Sequence, residues 1–473
     1  MILFNTKTNQ VIFDAVEQKT TKPNLSLWLY GDSGRPIAFS DELADKGYVI
    51  LSEDAPEVIK AKKALKNKEK LIEQERKLDN ERKAQEEAEK LNEIELLEKE
   101  KRHSERLGKI VPDGDKMPKW FNEYADNLNI NRGKQDRIRQ TYGYSEEEWI
   151  DYFDSSFPST FLASYKIVSN LLENNEVISS YKDLKKIRIA DIGCGSGGAS
   201  IGAITAVEQF LPNVLEIDIC AFDYNENALK VFENCLKKYH PDNGLIKFHR
   251  QQIEFVPENS DAKQNKYTLI DFGNEYLANN EFDFILCFKM VNELIFNHGF
   301  KKNAYEILAQ VASPRISKKG FFILLDVSMS DEGDANIDDT EYAKLLNSGI
   351  KTFLCQNADN YGCLIPIPCA IVSTNCKADL CWIQRLIKSD GGREFPATYK
   401  VLTKKSFRDQ ILRSIKAEDS SKYIVCEKKE KYDRPKAYKR CFYSNGKMTK
   451  SDEITESNKN DFKDGFSLIN YGG

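Results

Sequence analysis

Two hydrophobic rhythms divide the chain. In residues 1–55, short apolar stretches at Met1 to Phe4, Val11 to Phe13, Leu25 to Tyr30 and Tyr48 to Leu51 are separated by polar turns such as Gly31-Asp32-Ser33-Gly34. That spacing predicts a small β-containing module. From Glu57 to Leu107 no Gly or Pro intervenes, and 15 basic residues accompany 14 acidic ones. The pattern predicts a long solvated helix over 56–108, extending roughly 75 Å at 1.5 Å per residue. Leu71 and Leu78 stand one heptad apart and Ala84, Ala88 and Leu91 continue a thin stripe, but Asn67, Glu75 and Arg82 occupy seam positions. A spacer helix fits this better than a dimerising coiled coil, and the oligomeric state is left open.

A helical region over 109–180 follows, with Trp120, Phe121, Tyr124, Trp149, Tyr152 and Phe153 and an apolar run from Phe161 to Leu172. Residues 181–473 then change to alternating strands and helices. Ile187 to Asp191 reads as the first core strand and Ser200 to Phe210 as its helix. Leu215 to Phe222 reads as the second strand, ending at Asp223, before a helix from Asn225 to Tyr239. For the third strand Tyr267 to Asp271 is preferred to Ile246 to Phe248. Phe282 to Phe288 and Gly320 to Asp326 read as the fourth and fifth, with a helix from Val291 to Phe296 between them. Such alternation implies a mostly parallel sheet covered on both faces. Tyr423 to Cys426 and Tyr438 to Tyr443 are expected to close it as an antiparallel pair, leaving about 350–390 as a Cys-rich insertion.

The chemistry concentrates where the first strand ends. Ile187 to Ser200 reads IRIADIGCGSGGAS, an apolar strand, Asp191, glycines at 193, 195, 197 and 198, and a helix start. Glycine lets backbone approach a ligand with no Cβ in the way, and the opening N–H groups of the helix face that ligand. The bland alternative is a tight strand-to-helix turn with no ligand. Asp223 is placed to accept from ribose hydroxyls or, alternatively, to serve as a turn acid. The spacing Asp191-x-Gly193-x-Gly195-x-Gly197 resembles motif I of the class I S-adenosylmethionine methyltransferases. That resemblance implies a Rossmann-like sheet with cofactor residues Asp191, Gly193, Gly195, Gly197, Asp223 and Asp271. It implies that Asp191 orients the loop and the cationic end of the ligand, and that Asp271 reaches the adenine amino group. A nicotinamide site fits this motif poorly.

After the fourth strand the chain reads FKMVNELI, without the Asn/Asp-Pro-Pro-Tyr of amino-methylating enzymes. Pro368-Cys369 resembles the dipeptide of cytosine C5 enzymes but lies past the fifth strand rather than after the fourth. Glu293, beside Asn292, is either a general base or a helix residue next to the pocket, and no catalytic residue is assigned.

Composition adds three points. The formal net charge of -5 hides an asymmetry, since residues 385–450 carry 19 Lys and Arg against 8 Asp and Glu, a local net of +11. That suits RNA phosphates or a solvated lysine-rich surface. No secretory or transit segment is evident, and no apolar run approaches the roughly 20 residues that span a bilayer. A soluble, cytoplasmic protein with no membrane partner is expected. The eleven cysteines are an odd number, seven of them in the last 120 residues, which favours metal over disulfides in a reducing compartment. Cys363, Cys369, Cys381 and Cys441 provide four thiolates for zinc or an iron-sulfur cluster, with buried unligated cysteines as the alternative.

From about Tyr152 onward the chain resembles the methyltransferase-like proteins of the mitochondrial small ribosomal subunit and their bacterial relatives. The resembling segments are Phe157-Pro158-Ser159-Thr160 before the first long helix, the Asp191 glycine loop, Phe282-Asp283-Phe284 leading to Asn292-Glu293-Leu294, and Gly362-Cys363 to Cys369. Asp379 to Arg385 and Tyr423-Ile424-Val425 before Arg440-Cys441 complete them. The resemblance implies a [4Fe-4S] cluster on Cys363, Cys369, Cys381 and Cys441, although the chain lacks the family's Cys-Pro-His and Cys-Pro and Cys376 competes for one place. It implies association with small-subunit ribosomal RNA during assembly, as a methyltransferase or as a scaffold holding cofactor and metal. A small-molecule methyltransferase is the third reading.

Overall fold

The computed structural model describes residues 1–127, 146–241, 244–258, 265–327, 341–372, 383, 385–387, 395–417, 422–424, 442–444, 447–449 and 462–468. The chain divides into two compact units, Met1–Arg102 and His103–Gly473.

In the first unit, β1 (Ile2–Asn5), β2 (Gln10–Ile12), β3 (Ala15–Lys19), β4 (Ser26–Tyr30), β5 (Pro36–Phe39) and β6 (Tyr48–Leu51) form two three-stranded antiparallel sheets, β2-β1-β6 and β3-β4-β5. Leu3, Trp28, Ala38 and Leu43 make their small core. The expected β module is thus present, with β3 and β5 added. Helix α1 (Pro56–Ile110) crosses the unit boundary, and residues 62–102 are exposed throughout.

The second unit takes in the last residues of α1, then α2 (Lys119–Asn127), α3 (Glu146–Leu172) and α4 (Asn175–Tyr181). The doubly wound part follows as β7 (Lys186–Ile192), α5 (Gly198–Phe210), β8 (Glu216–Asp223), α6 (Glu226–Tyr239) and β9 (Ile246–Gln252). After the two-residue strands β10 (Glu254–Phe255) and β11 (Lys266–Tyr267) and the short helix α7 (Leu269–Phe272) come β12 (Phe282–Phe288), α8 (Val291–Asn297), α9 (Ala304–Ala312) and β13 (Ile316–Val327). The remaining elements are α10 (Glu341–Gln356), β14 (Tyr361–Ile365), α11 (Ile367–Val372), β15 (Arg385–Ile387), β16 (Phe395–Lys404) and α12 (Lys405–Ser414), then β17 (Lys422–Ile424), β18 (Phe442–Ser444), β19 (Lys447–Thr449) and β20 (Phe462–Asp464).

The central sheet runs β14-β16-β13-β12-β7-β8-β9, with β15 paired to β16 off that path. Neighbours from β9 to β13 are parallel, and β16 is antiparallel to both β13 and β14. Taken from the first core strand, this is the order 3-2-1-4-5-7-6 with the seventh strand reversed, a Rossmann-like arrangement. Buried apolar residues fill both faces, one layer against α3, α5 and α6 and the other against α7 to α10. Because α5 is sandwiched between the sheet and α3, it is apolar nearly all round, GASIGAITAVEQF, as a doubly covered helix must be. A Cβ at Gly202 would lie 2.4 Å from the Phe161 carbonyl oxygen, so small residues let α3 and α5 approach closely.

Four expectations need correction. The third strand is Ile246–Gln252, not Tyr267 to Asp271: Thr268 accepts the Asp271 N–H through Oγ1 (3.1 Å) and caps α7, turning the apolar run into a helical turn. The strands that close the sheet are β14 and β16; the described parts of Tyr423 to Cys426 and Tyr438 to Tyr443 lie in a separate sheet, β19-β18-β17-β20. The stretch about 350–390 is not wholly an insertion, since α10 and β14 are core elements. Phe157 to Thr160 falls inside α3 rather than before the long helix, and Pro158 does not interrupt that helix. Among the described residues no helix is long and apolar enough to cross a membrane.

Candidate functional site

The carboxyl ends of β7, β8, β12 and β13 converge where the sheet order reverses, the usual place for a ligand in an open α/β sheet. β7 ends at Asp191 and Ile192, and the loop Gly193–Gly197 leads into α5. Gly195 has φ +52°, and a Cβ built on it would meet no atom within 4 Å, so that side of the loop is open. Gly197 has φ +84° and a Cβ there would lie 2.0 Å from the Phe232 ring, which makes glycine obligatory for packing as well as for conformation. The main chain of the loop is tied to the next strand, since the Gly193 and Cys194 N–H groups both donate to the Phe222 carbonyl (2.8 and 3.0 Å).

Asp223 completes that connection. Its Oδ2 accepts the Gly195 N–H (2.8 Å) and its Oδ1 the Asn225 N–H (2.9 Å), while Asn225 caps α6. Asp191 is fully buried; its Oδ2 accepts both the N–H and the hydroxyl of Ser200 (3.2 and 2.7 Å), and its Oδ1 has no hydrogen-bond partner. Burial pushes Asp191 up to about 7 and Asp223 up to about 6, against the pull of these donors. The structure therefore brings Asp191, Gly193, Gly195, Gly197 and Asp223 together. Asp271 stands elsewhere, exposed on α7, its carboxylate accepting the Thr268 hydroxyl (2.7 Å).

Further polar residues gather here that the sequence reading had not assigned. Asp326, buried at the end of β13, accepts from the Asn292 N–H, the Tyr305 hydroxyl and the Val327 N–H at 3.0, 2.9 and 3.0 Å. Burial pushes it up to about 7. Lys289 follows β12 with φ +59°; its ammonium donates to Ser159 Oγ (2.9 Å) and lies 4.1 Å from the Phe395 ring centroid. Burial lowers it to about 8. The signal for Asp326 was an apolar strand ending in Asp, the same signature as β7 and β8. Lys289 had no comparable signal, because its placement depends on a left-handed backbone after the strand.

Acids held above their ordinary range cost stability when ionised. The contribution of the neutral Asp191, Asp223 and Asp326 is complete below about pH 4 and is lost as pH rises through 6 to 7, each unit of displacement amounting to about 1.4 kcal/mol. The ligand-free protein should therefore melt at lower temperature at pH 7.5 than at pH 5.5, and Asp191→Asn should flatten that slope. Lys289 acts oppositely, but only above about pH 8. Melting curves across this range check the expectation, and a Tm rising toward pH 7.5 contradicts it.

Among the described residues no group of three or more His, Cys, Asp or Glu side chains could hold a metal ion. Cys376, Cys381 and Cys441 lie outside the described residues. Cys363 is buried in β14, its Sγ donating to the Ile365 carbonyl (3.1 Å), and burial pushes its thiol up to about 12. Cys369 Sγ accepts from the Lys400 ammonium (2.9 Å). The four-cysteine centre is thus not shown.

No protein-family model matches the chain, and no curated protein matches it. Solved methyltransferase structures are similar to it at low identity. The plantazolicin methyltransferase BpumL in complex with SAH is 15% identical over 60% of this chain and 98% of its own, with a TM-score of 0.28. TrmN from Thermus thermophilus is 13% identical over 51% of this chain and 53% of its own, TM-score 0.26. The precorrin-6y C5,15-methyltransferase from Geobacter metallireducens GS-15 is 16% identical over 48% and 85%, TM-score 0.24. TM-scores this low carry no argument about activity, and none of these matches bears on the resemblance to ribosomal-subunit proteins.

Proposed function

We propose that this site holds S-adenosylmethionine and that the chain is a methyltransferase. The observation that carries the reading is the bond from the Gly195 N–H to Asp223, which fixes the glycine loop against the acid ending β8 while the Gly195 side stays open. The residues fit the group. Asp223 has lone pairs left for ribose hydroxyls, the loop offers backbone without side chains, and the unpartnered Oδ1 of Asp191 suits a cationic ammonium. Bound here, the cofactor would supply an electrophilic methyl on a sulfonium. The protein's part is to position and desolvate, with little covalent help. Asp271 is left out of this proposal because it is exposed and engaged with its own helix cap.

The net charge of +11 over residues 385–450 supports RNA as the acceptor, through phosphate contacts whose affinity falls with salt. A ribosomal particle as partner and a metal on Cys363, Cys369, Cys381 and Cys441 rest on the sequence resemblance alone; brown protein with broad visible absorbance would support an iron-sulfur cluster. Calorimetry with S-adenosylmethionine, followed by transfer of labelled methyl to total RNA or ribosomal particles, tests the whole reading. Binding with label in RNA is the expected result. Binding without transfer to any acceptor reduces the protein to a cofactor-holding scaffold, and absence of binding ends the proposal.

A further inference from the structure

Four acidic side chains gather at this end of the sheet, and three of them accept hydrogen bonds from the protein. Asp191 is held by Ser200, Asp223 by Gly195 and Asn225, and Asp326 by Asn292, Tyr305 and Val327. Glu293 differs. It lies in the first turn of α8, half-buried, and no described residue donates a hydrogen bond to its carboxylate. The start of α8 is set against the glycine loop by Met290, whose side chain occupies the place a Cβ on Gly193 would take, 2.7 Å away. Beside it, Asn292 Oδ1 is buried with no partner. Lys289 is no competitor as a base, because its ammonium is donating to Ser159.

Resting on the proposed function, we infer that Glu293 is the catalytic base that takes the acceptor's proton, and that the acceptor is a nucleophile carrying that proton on oxygen or nitrogen at neutral pH. In the step, a lone pair of the acceptor atom forms the bond to the methyl carbon. The carbon–sulfur bond breaks with its electrons left on sulfur, and the acceptor's proton passes to a Glu293 oxygen and then to water. Thiolates, carboxylates and tertiary amines, which bring no proton, are outside this class. The surroundings suit the role: burial first, then Asp326 on β13 and Asp223 on β8, raise Glu293 to about 7, and Lys289 at the end of β12 opposes them. A base with its pKa near working pH serves proton transfer best.

The test needs no known acceptor. A carboxyl with pKa about 7 is half protonated at pH 7, so a sulfonium placed beside it should expel up to about half a proton. S-adenosylhomocysteine, with neutral sulfur, should expel less. Calorimetry at pH 7 in buffers of different ionisation enthalpy measures the difference, and Glu293→Gln should abolish it while retaining affinity for S-adenosylhomocysteine. With total RNA as the methyl acceptor, the same variant should lose about a hundredfold in rate and the acid limb of its pH profile. Equal proton release by wild type and Glu293→Gln, or by the two ligands on wild type, overturns the inference while leaving cofactor binding intact. Failure of wild type to bind either ligand overturns it together with the proposed function.

Discussion

Gly195→Asp should abolish binding of S-adenosylmethionine and leave the fold standing. The two halves of that expectation have separate causes. At φ +52° an aspartate is among the side chains best able to adopt the left-handed region, at a cost of about 1–2 kcal/mol. Its Cβ would meet nothing within 4 Å, and a carboxylate close to the start of α5 interacts favourably with the helix dipole. Stability should therefore fall by no more than about 1–2 kcal/mol, which the fold survives. The open space that accepts the new side chain is the space proposed for the ligand, so binding should weaken by at least about a hundredfold, equivalent to roughly 2.8 kcal/mol. Gly195→Ala, which adds only the Cβ, should weaken binding less. Calorimetry with thermal melts on the same samples separates the effects, and wild-type affinity in the Asp variant would remove the loop from the site.

How much of this was legible in the sequence follows from burial. β12 and the second half of β13 are buried on both faces and read as apolar runs, and β7 and β8 start with a buried apolar residue at every second position and end fully buried, so their placement needed no tertiary information. β9 is the sheet's edge, and IKFHRQQ exposes most of its residues, so a buried-strand template passes over it. β16 is disguised differently. Lys400 lies in its middle as a buried lysine whose ammonium reaches Cys369, and Pro396 stands near its start. With β16 left unassigned, the sheet's closure was given to the later apolar pair and β14 to an insertion. Within the site, the glycines and strand-end acids of β7 and β8 were legible because each type has few other uses in that context. Asp271 was misplaced along with its strand. That Asp191, Asp223 and Asp326 accept hydrogen bonds from the protein while Glu293 accepts none from a described residue is a property of three-dimensional structure that no spacing encodes.

The largest expected effect on stability lies away from the loop, on the helix that carries it. Arg106, near the end of α1, grips Glu208 of α5 through Nε (2.5 Å) and Nη2 (2.8 Å) and donates from Nη1 to the Tyr239 carbonyl (3.3 Å). The Tyr239 hydroxyl donates to Glu208 Oε1 (2.9 Å) and lies 3.1 Å from Thr205 Oγ1, so the acid joins α1, α5 and α6. Glu208 is 6% exposed and Arg106 26%, so Arg106→Met would leave a buried carboxylate without its counter-charge. Such a loss costs about 3–5 kcal/mol, whereas removing both charges together is often nearly neutral. Arg106→Met should therefore unfold in urea well before wild type, and Arg106→Met with Glu208→Gln should recover most of the deficit. The coupling should also reach the ligand: α5 begins at Gly198, so a single variant that loosens this helix should bind S-adenosylmethionine more weakly, and the double variant should bind it nearly as wild type does. If the single variant is as stable as wild type, or the second substitution makes matters worse, the pair is a surface contact and α5 is held by its apolar packing against α3 and the sheet.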